Sequence, residues 1–448
     1  MRWIILVILL SLSAVSLPAA GAAGAVPSEQ QRFSRWLHTN LAQVAGDRIV
    51  PQGEVFAIGS GAWSYFTDPR AVSTKTSTIT GWITRNGYVQ VASFDHQTRR
   101  LVVKRMPRRI GRDDHNNPAF TIRPDGRIMV FYSPHSGRDH PTHGKSRLYY
   151  ATTIRPGDLG QWGRTRTVSV NVPGRLGFTY PSPISIGKAG VWLAWRGGNW
   201  LPTRSLNKHG HWKKARNIVL QYRRGRRPYA KYAPGANGKI HMAYTEQNPG
   251  QGRTNVFYAS ISPNSDRVTS ANGRPLAKAK LPFRVKQGEK VYSYKTQGRA
   301  WVMDVADDNG KPLIAYLAGF GKNKGMTFRY ARWDGATWND QFVTLAHDGS
   351  RSANNSYGHN FASGGITIDH STPNRLFISR GVNRHYQVEV WTYEQAANTW
   401  QTKVVSPPHQ SCFRPVGSTG ANHGIVFFLC GQHSHWTKFH TRILAATY

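Results

Sequence analysis

Strand-like runs of alternating or continuous apolar residues, each interrupted once by a tight polar turn, recur seven times along the chain. The turns fall at Asn86-Gly87, Asp125-Gly126, Lys188-Ala189, Asn237-Gly238, Asn309-Gly310, Pro373-Asn374 and Ala421-Asn422. Asn-Gly and Asp-Gly, four of the seven, accept the positive φ of two-residue hairpin turns. Successive turns lie 39 to 72 residues apart, which suits blades of about four strands with variable loops. The pattern predicts an all-β fold, a seven-bladed β-propeller over residues 51–448. Trp162, Trp212, Trp338 and Trp400 each precede a polar and β-branched run and are expected to pack between blades. Residues 249–290 lose the pattern after Asn255–Tyr258 and read as a long surface loop.

The N-terminus follows another pattern. Arg2 precedes the apolar run Trp3–Leu10, and Ala23-Gly24-Ala25 forms an A-x-A site. This predicts a signal peptide over 1–25 and a secreted protein starting near Val26, with an uncleaved anchor as the alternative. No later run is long and apolar enough to span a bilayer, so no membrane partner is expected after cleavage. Residues 26–50 form an N-terminal segment in which Phe33, Trp36, Leu37 and Leu41 suit a short helix.

Charge narrows the partner. Lys and Arg number 59 against 22 Asp and Glu, a net charge of +37. Such a field draws in polyanions. Export favours an anionic polysaccharide over nucleic acid, and a monomer is expected. A generally basic or acid-adapted host proteome is the bland alternative. The two cysteines, Cys412 and Cys430, flank the seventh turn symmetrically. Across an antiparallel hairpin they stand opposite each other, and export permits a disulfide. Free thiols or metal ligands are the alternatives.

Candidate chemistry gathers at the open ends of the hairpins, where a propeller brings distant residues onto one face. The second hairpin offers His115 and His135, the third Tyr180 and Arg196, the fourth Arg227, Tyr229, Lys231 and Glu246, the sixth Asn360 and Arg380. This set suits β-elimination at a uronic acid. Removing the proton α to a carboxylate builds further negative charge, which the donor fork of Arg196 can neutralise. A neutral His, with an ordinary pKa of about 6.5, can act as base. Tyr180 can act as acid, or as base if a cation lowers its pKa. Asp113 and Asp114 could supply a glycosidase carboxylate, but no second one stands at a comparable position. His140 and His143 extend a His-rich loop without a specific metal spacing.

Several segments also resemble the BNR-4 type propeller family. They are Ala62–Arg70, Asp113–Pro118, Asp125-Gly126-Arg127, Val130–His135, Tyr180–Pro183, Trp195–Trp200 and Arg227–Tyr232. The resemblance spans roughly residues 55–435 and implies a secreted polysaccharide lyase, in a family that includes ulvan lyases and rhamnosyl-glucuronate lyases. It implies that His115, His135, Tyr180 and Arg196 are the catalytic residues. It needs no cofactor for the chemistry, although some members carry a structural divalent metal. Tyr229 is preferred to Tyr232 as a further site residue because its strand parity matches Arg227 and Lys231. With Arg70, Lys231, Asn199 and Arg380 it is expected to bind substrate. Two other functions compete: a sialidase-like glycoside hydrolase, with Arg70, Arg196 and Arg380 gripping a carboxylate, and a non-catalytic glycan-binding propeller.

Overall fold

Among the described residues, seven mainly antiparallel sheets surround a central channel in the computed structural model. The described residues are 48–50, 54–135, 147–168, 178–197, 201–220, 226–276, 281–320, 325–348, 364–421 and 423–448. The signal peptide and the short helix predicted before the ring lie outside them. No helix among them is long and apolar enough to cross a membrane.

Each sheet is one blade, and the innermost strands of neighbouring blades touch around the channel. Blade 2 shows the plan: Ala119–Ile122, Ile128–Tyr132, Leu148–Thr152 and Arg166–Val168, ordered from the channel outward. Its central strand, Ile128–Tyr132, is buried throughout, because blades pack on both faces and a strand between them has no solvent side. Trp162, Trp212, Trp338 and Trp400 each stand at or near the start of a fourth strand, paired with Thr153, Leu206, Trp333 and Tyr393.

The ring closes by strand exchange. Val55–Ser60 forms the outer strand of blade 7, pairing with Lys438–Thr447 near the C-terminus. Thr419–Gly420 of blade 7 pairs in parallel with Val72 and Ser73 of blade 1. The first and last blades are thus bonded twice.

Six of the seven turns join the first and second strands of their blades. The exception is Asn86-Gly87, which joins the second and third strands of blade 1, Ser77–Ile83 and Tyr88–Asp95. The innermost strand of that blade is Ala71–Ser73, too short to register as a pattern. This turn therefore emerges on the opposite rim from the other six. Two further corrections concern register and loops. Counting outward from the Asn237-Gly238 turn sets Tyr229 opposite Glu246, but Tyr229 pairs with Thr245, one residue earlier. The 249–290 segment is more ordered than its pattern implied: Val256–Ser262 and Arg267–Thr269 extend blade 4, and Phe283–Arg284 adds a parallel strand to blade 3. Arg48–Ile49, at the end of the N-terminal segment, adds a strand outside blade 1.

Candidate active site

The open ends of the inner hairpins converge on the rim opposite the six tight turns. Just before blade 2, Asp113 caps a single 3-10 turn, Asp114–Asn116, by accepting the His115 backbone N–H at 3.0 Å. His135 follows the second strand of the same hairpin, so the fold brings the two imidazoles together. Their rings stack 4.0 Å apart at 13°. Asp113 bridges them, with one oxygen 2.7 Å from His115 Nδ1 and the other 2.8 Å from His135 Nδ1. Asn116 fixes the loop, donating to the Ile110 and Gly111 carbonyls and accepting the His135 backbone N–H at 2.5 Å.

A second carboxylate separates the two histidines electrically. Asp114 is fully buried and stands 2.8 Å from His115 Nδ1. Burial alone would discharge His115, but Asp114 and Asp113 outweigh it and push its pKa up to about 9. Burial and the neighbouring His115 charge push His135 down, against the pull of Asp113. His115 is therefore a cation at neutral pH and His135 a neutral base. Burial opposes ionisation of Asp113, yet its hydrogen bonds and charge interactions with both histidines hold it below the usual carboxylate range. Asp113 is thus an anion that accepts Nδ1–H from each histidine, which leaves both Nε2 atoms for other partners.

Tyr180 enters from blade 3. Its φ of +61° accompanies a register shift between Thr179 and Ser182, where the inner strand bulges. Such a conformation is costly for a bulky residue, and bulges re-aim side chains. Here it brings the phenol ring to 5.5 Å from His115. Arg196, on the paired strand and 4 % exposed, carries its guanidinium 4.4 Å from the Tyr180 ring and 4.8 Å from the Tyr229 ring. Its Nε and Nη1 are buried without an acceptor among the described residues. Two unsatisfied donors on a buried cation make a ready carboxylate fork.

The two tyrosines differ in acidity. Burial raises the Tyr180 phenol far above its ordinary value, with Arg196 opposing it only in part. Burial also acts on Tyr229, but the charge of Arg196 and a hydrogen bond from it outweigh burial and lower the phenol. Phe66 supports both rings, 5.5 Å from Tyr180 and 4.8 Å from Tyr229. Trp301 stands edge-on to Tyr229 at 5.5 Å. At the other end of the cleft, Trp436 stands edge-on to His115 at 6.3 Å.

The structure brings together His115, His135, Tyr180, Arg196 and Tyr229. Tyr232 instead packs against Trp192 in the core. Arg70 and Lys231 do not enter the cleft. Both are almost fully buried and paired with Asp68, Arg70 Nε at 2.8 Å and Lys231 Nζ in close contact. A carboxylate in the channel demands cations, and these two supply them. Arg380 is taken by Glu389, at 2.9 Å from each oxygen. Arg70 and Arg380 are therefore each taken by a carboxylate of their own, which leaves Arg196 of the three to face a substrate carboxylate. Asn199, Asn360, His140 and His143 lie outside the described residues. Cys412 and Cys430 form the disulfide, opposite each other in register.

Asp113, His115 and His135 each offer one ligand atom within 4.8 Å of the others, so they are the residues that would hold a metal ion. Metal ligation needs neutral imidazoles. In this structure the same atoms are joined as a hydrogen-bonded triad, with Asp113 engaging both Nδ1 atoms.

Phe66, Asp113, Asp114, Trp301, Arg414 and Trp436 complete the site. The two aspartates were visible in the sequence as a glycosidase candidate and as part of the family-like segment Asp113–Pro118, with no role given to them. Their spacing to His115 is the signal that reads better as histidine control.

The profile of the family described as BNR repeat-containing family members matches residues 77–346. The chain is similar to an ulvan lyase of Pseudoalteromonas sp. (strain PLSV), 24 % identical over 294 residues, covering 55 % of this chain and 58 % of that protein. An ulvan lyase of Alteromonas sp. (strain LOR) is 23 % identical over 294 residues, with the same coverage. The match thus spans under two thirds of the length of these relatives. A solved polysaccharide lyase, described as a PL25 ulvan lyase bound to an oligosaccharide of glucuronate and sulfated rhamnose, superposes with a TM-score of 0.63. That likeness covers 89 % of this chain and 94 % of the other at 15 % identity, and it establishes the shared fold.

Proposed function

The chain belongs to the BNR repeat-containing family, and from that premise we propose that it is a polysaccharide lyase that cleaves a uronate-containing acidic polysaccharide by β-elimination. The observation that carries this reading is the buried, unsatisfied fork of Arg196 between two tyrosines of opposite acidity. The similarity to ulvan lyases supports it, as does the net charge of +37. An ulvan-like or rhamnosyl-glucuronate linkage suits this reading, with a secreted enzyme meeting its polymer outside the cell.

In this mechanism the uronate carboxylate sits against the Arg196 guanidinium, whose Nε and Nη1 are without an acceptor among the described residues. The Tyr229 phenolate, favoured by the same guanidinium, takes the proton from C5. The C5–H electron pair forms the C4–C5 double bond as the C4–O bond breaks. Tyr180, kept protonated by burial, gives its proton to the leaving oxygen. Cationic His115 adds positive charge beside the developing enolate. The products are a new hydroxyl end and an unsaturated uronate. Neutral His135, with Nε2 unprotonated, is the second candidate base, favoured by the Asp113 contact to its Nδ1.

The test is ultraviolet absorbance of the purified protein with ulvan and rhamnose-capped, glucuronate-bearing arabinogalactan. A conjugated unsaturated uronate absorbs, so rising absorbance is expected with one of them. New reducing ends without absorbance would establish a hydrolase instead. Salt-sensitive binding with neither signal would leave a glycan-binding propeller. Comparing Tyr229→Phe with His135→Gln then assigns the base, since the base variant loses proton abstraction and the other loses less.

A further inference from the structure

A second set of groups lies beside His115, toward blades 1 and 7, and the elimination chemistry does not use it. Trp436 sits half-buried at the tip of the hairpin formed by Ile425–His435 and Lys438–Thr447. The hairpin is tied to the catalytic loop, because the Asp114 backbone N–H donates to the Trp436 carbonyl at 2.8 Å. His435 packs on the indole with centroids 3.6 Å apart and is braced by Thr437. The indole is thus held beside His115.

Cations stand nearby. The Arg112 guanidinium lies 5.0 Å from the Phe439 ring and donates from Nη2 to the Phe439 carbonyl at 2.8 Å. The displaced turn of blade 1 brings exposed Arg85 to the same place: the Ile110 backbone N–H donates to the Gly87 carbonyl at 2.8 Å. A Cβ added at Gly87 would meet the backbone of Gly111 at 2.8 Å and the Arg112 backbone nitrogen at 3.0 Å, so the turn packs on this segment. Exposed His440 follows Phe439 on the hairpin. Burial and then the charge of Arg85 lower Arg112, and burial, Arg85 and Arg112 lower His440, so these groups share a field. None of the three has a carboxylate partner among the described residues, and Arg112 Nε is buried without an acceptor. Like charges held together without a counter-ion repel, and a bound anion relieves that cost.

We propose that Trp436, Arg85, Arg112 and His440 form a second subsite, which takes an anionic sugar residue flanking the uronate that is cleaved. The indole offers a flat apolar face to a sugar ring, and the cations take its sulfate ester or carboxylate. Arg85 and Arg112 lie within the residues that match the family profile, and Trp436 and His440 lie beyond them. The proposal rests on the lyase reading for which sugar is cleaved, and not for whether an anion binds.

The test compares ulvan, chemically desulfated ulvan and polyglucuronate with the wild type, Arg85→Gln and Arg112→Gln. If a sulfate ester is the ligand, each variant lowers the preference for ulvan over desulfated ulvan about tenfold, as for a charge-assisted hydrogen bond. If a carboxylate is the ligand, the preference for polyglucuronate over desulfated ulvan falls instead. Unchanged preferences in both variants overturn the subsite. Arg85 is exposed, so its variant stays informative if Arg112→Gln unfolds. Calorimetry with size-fractionated ulvan oligosaccharides from mild acid hydrolysis separates the two readings. If no polymer is cleaved, the lyase reading fails, and weaker oligosaccharide binding by both variants still supports the subsite. Equal binding by wild type and variants overturns it.

Discussion

Asp114 and Arg414 are 300 residues apart in sequence and form a fully buried ion pair, Oδ2 to Nη1 at 2.7 Å. The pair joins the loop that carries His115 to the inner strand of blade 7. Arg414 reaches it from a bulge, with φ +54° and a register shift between Phe413 and Val416. The same Nη1 holds the Trp63 carbonyl, and the Trp63 indole N–H donates to the Arg414 carbonyl at 3.0 Å. His433 adds a contact to Asp114 at 3.1 Å. Arg414 is thus a positioning residue that acts on His115 through Asp114.

Replacing Arg414 by Met removes one half of a buried pair, which costs about 3–5 kcal/mol. Denaturant unfolding is expected to report a loss of that order. In protein that remains folded, Asp114 is less neutralised, so His115 holds its proton more tightly. The alkaline limb of the pH–rate profile should move upward. A limb that stays in place with normal stability would remove the positioning role.

The pH dependence of the wild type follows from the two histidines. Where His135 is the base, activity falls below its depressed pKa as that ring takes a proton; where Tyr229 is the base, that acid limb is absent from the wild type. Activity should fall near pH 9, where His115 loses its proton. His115 also contributes to stability. Its folded value lies above the unfolded value of about 6.5, so its contribution is fully present below that pH and lost as pH rises through about 9. The histidine NMR signals of the free protein, followed through pH 5 to 10, check both assignments. Two overlapping titrations near the ordinary value would refute them.

Arg196→Ala tests the carboxylate fork. Removing such a donor is expected to cost about a hundred- to a thousandfold in kcat. Tyr229→Phe, which removes a general base, is expected to cost about a hundred- to ten-thousandfold. Circular dichroism should show the β-sheet signal intact in both. Near-normal turnover of a uronate polymer by Arg196→Ala would remove the neutraliser.

The hairpins and most of the site were legible because both depend on short-range pattern. Each inner hairpin has a tight turn and strands buried between blades, so Asp125-Gly126 or Asn237-Gly238 reveals a blade. A residue fixed beside such a hairpin, as His115 and His135 are, can be placed by counting from the turn. In blade 1 only the inner strand escaped, because it has three residues, Ala71–Ser73, and the turn that reveals the blade joins its second and third strands. Arg414 and Trp436 escaped because their partner, Asp114, lies 300 or more residues away, and no local pattern encodes a ring closing on itself. Lys231 and Arg70 were misjudged for a related reason. Strand parity places Lys231, and a family-like segment Arg70, near the channel, but neither shows that Asp68 waits there to pair with them.

The disulfide should matter for stability more than for chemistry. Cys412 and Cys430 close a loop with a separation of 18 residues in the last blade. A loop of that size stabilises by about 3 kcal/mol through the unfolded chain. The Cys412→Ala, Cys430→Ala double variant is expected to unfold at lower denaturant while its KM stays the same. An unchanged unfolding midpoint would contradict this.

Acid should loosen the seam between blades 1 and 7. His96 and His423 stack there with centroids 3.9 Å apart, His96 Nε2 on Thr78 at 2.9 Å and His423 Nε2 on the Thr74 carbonyl at 2.7 Å. Partial burial, then the nearby His423, lower His96 to about 4, although Asp95 pulls the other way. The folded protein therefore binds this proton less readily than the unfolded chain, whose His titrates at about 6.5. The stacked pair contributes stability fully above that value, and the contribution is lost as pH falls toward 4. Thermal unfolding measured from pH 7 to 4 is expected to show a falling midpoint, with a shallower fall in His96→Gln, which has no proton to gain. Parallel curves for the two proteins would show that the seam is not where acid acts.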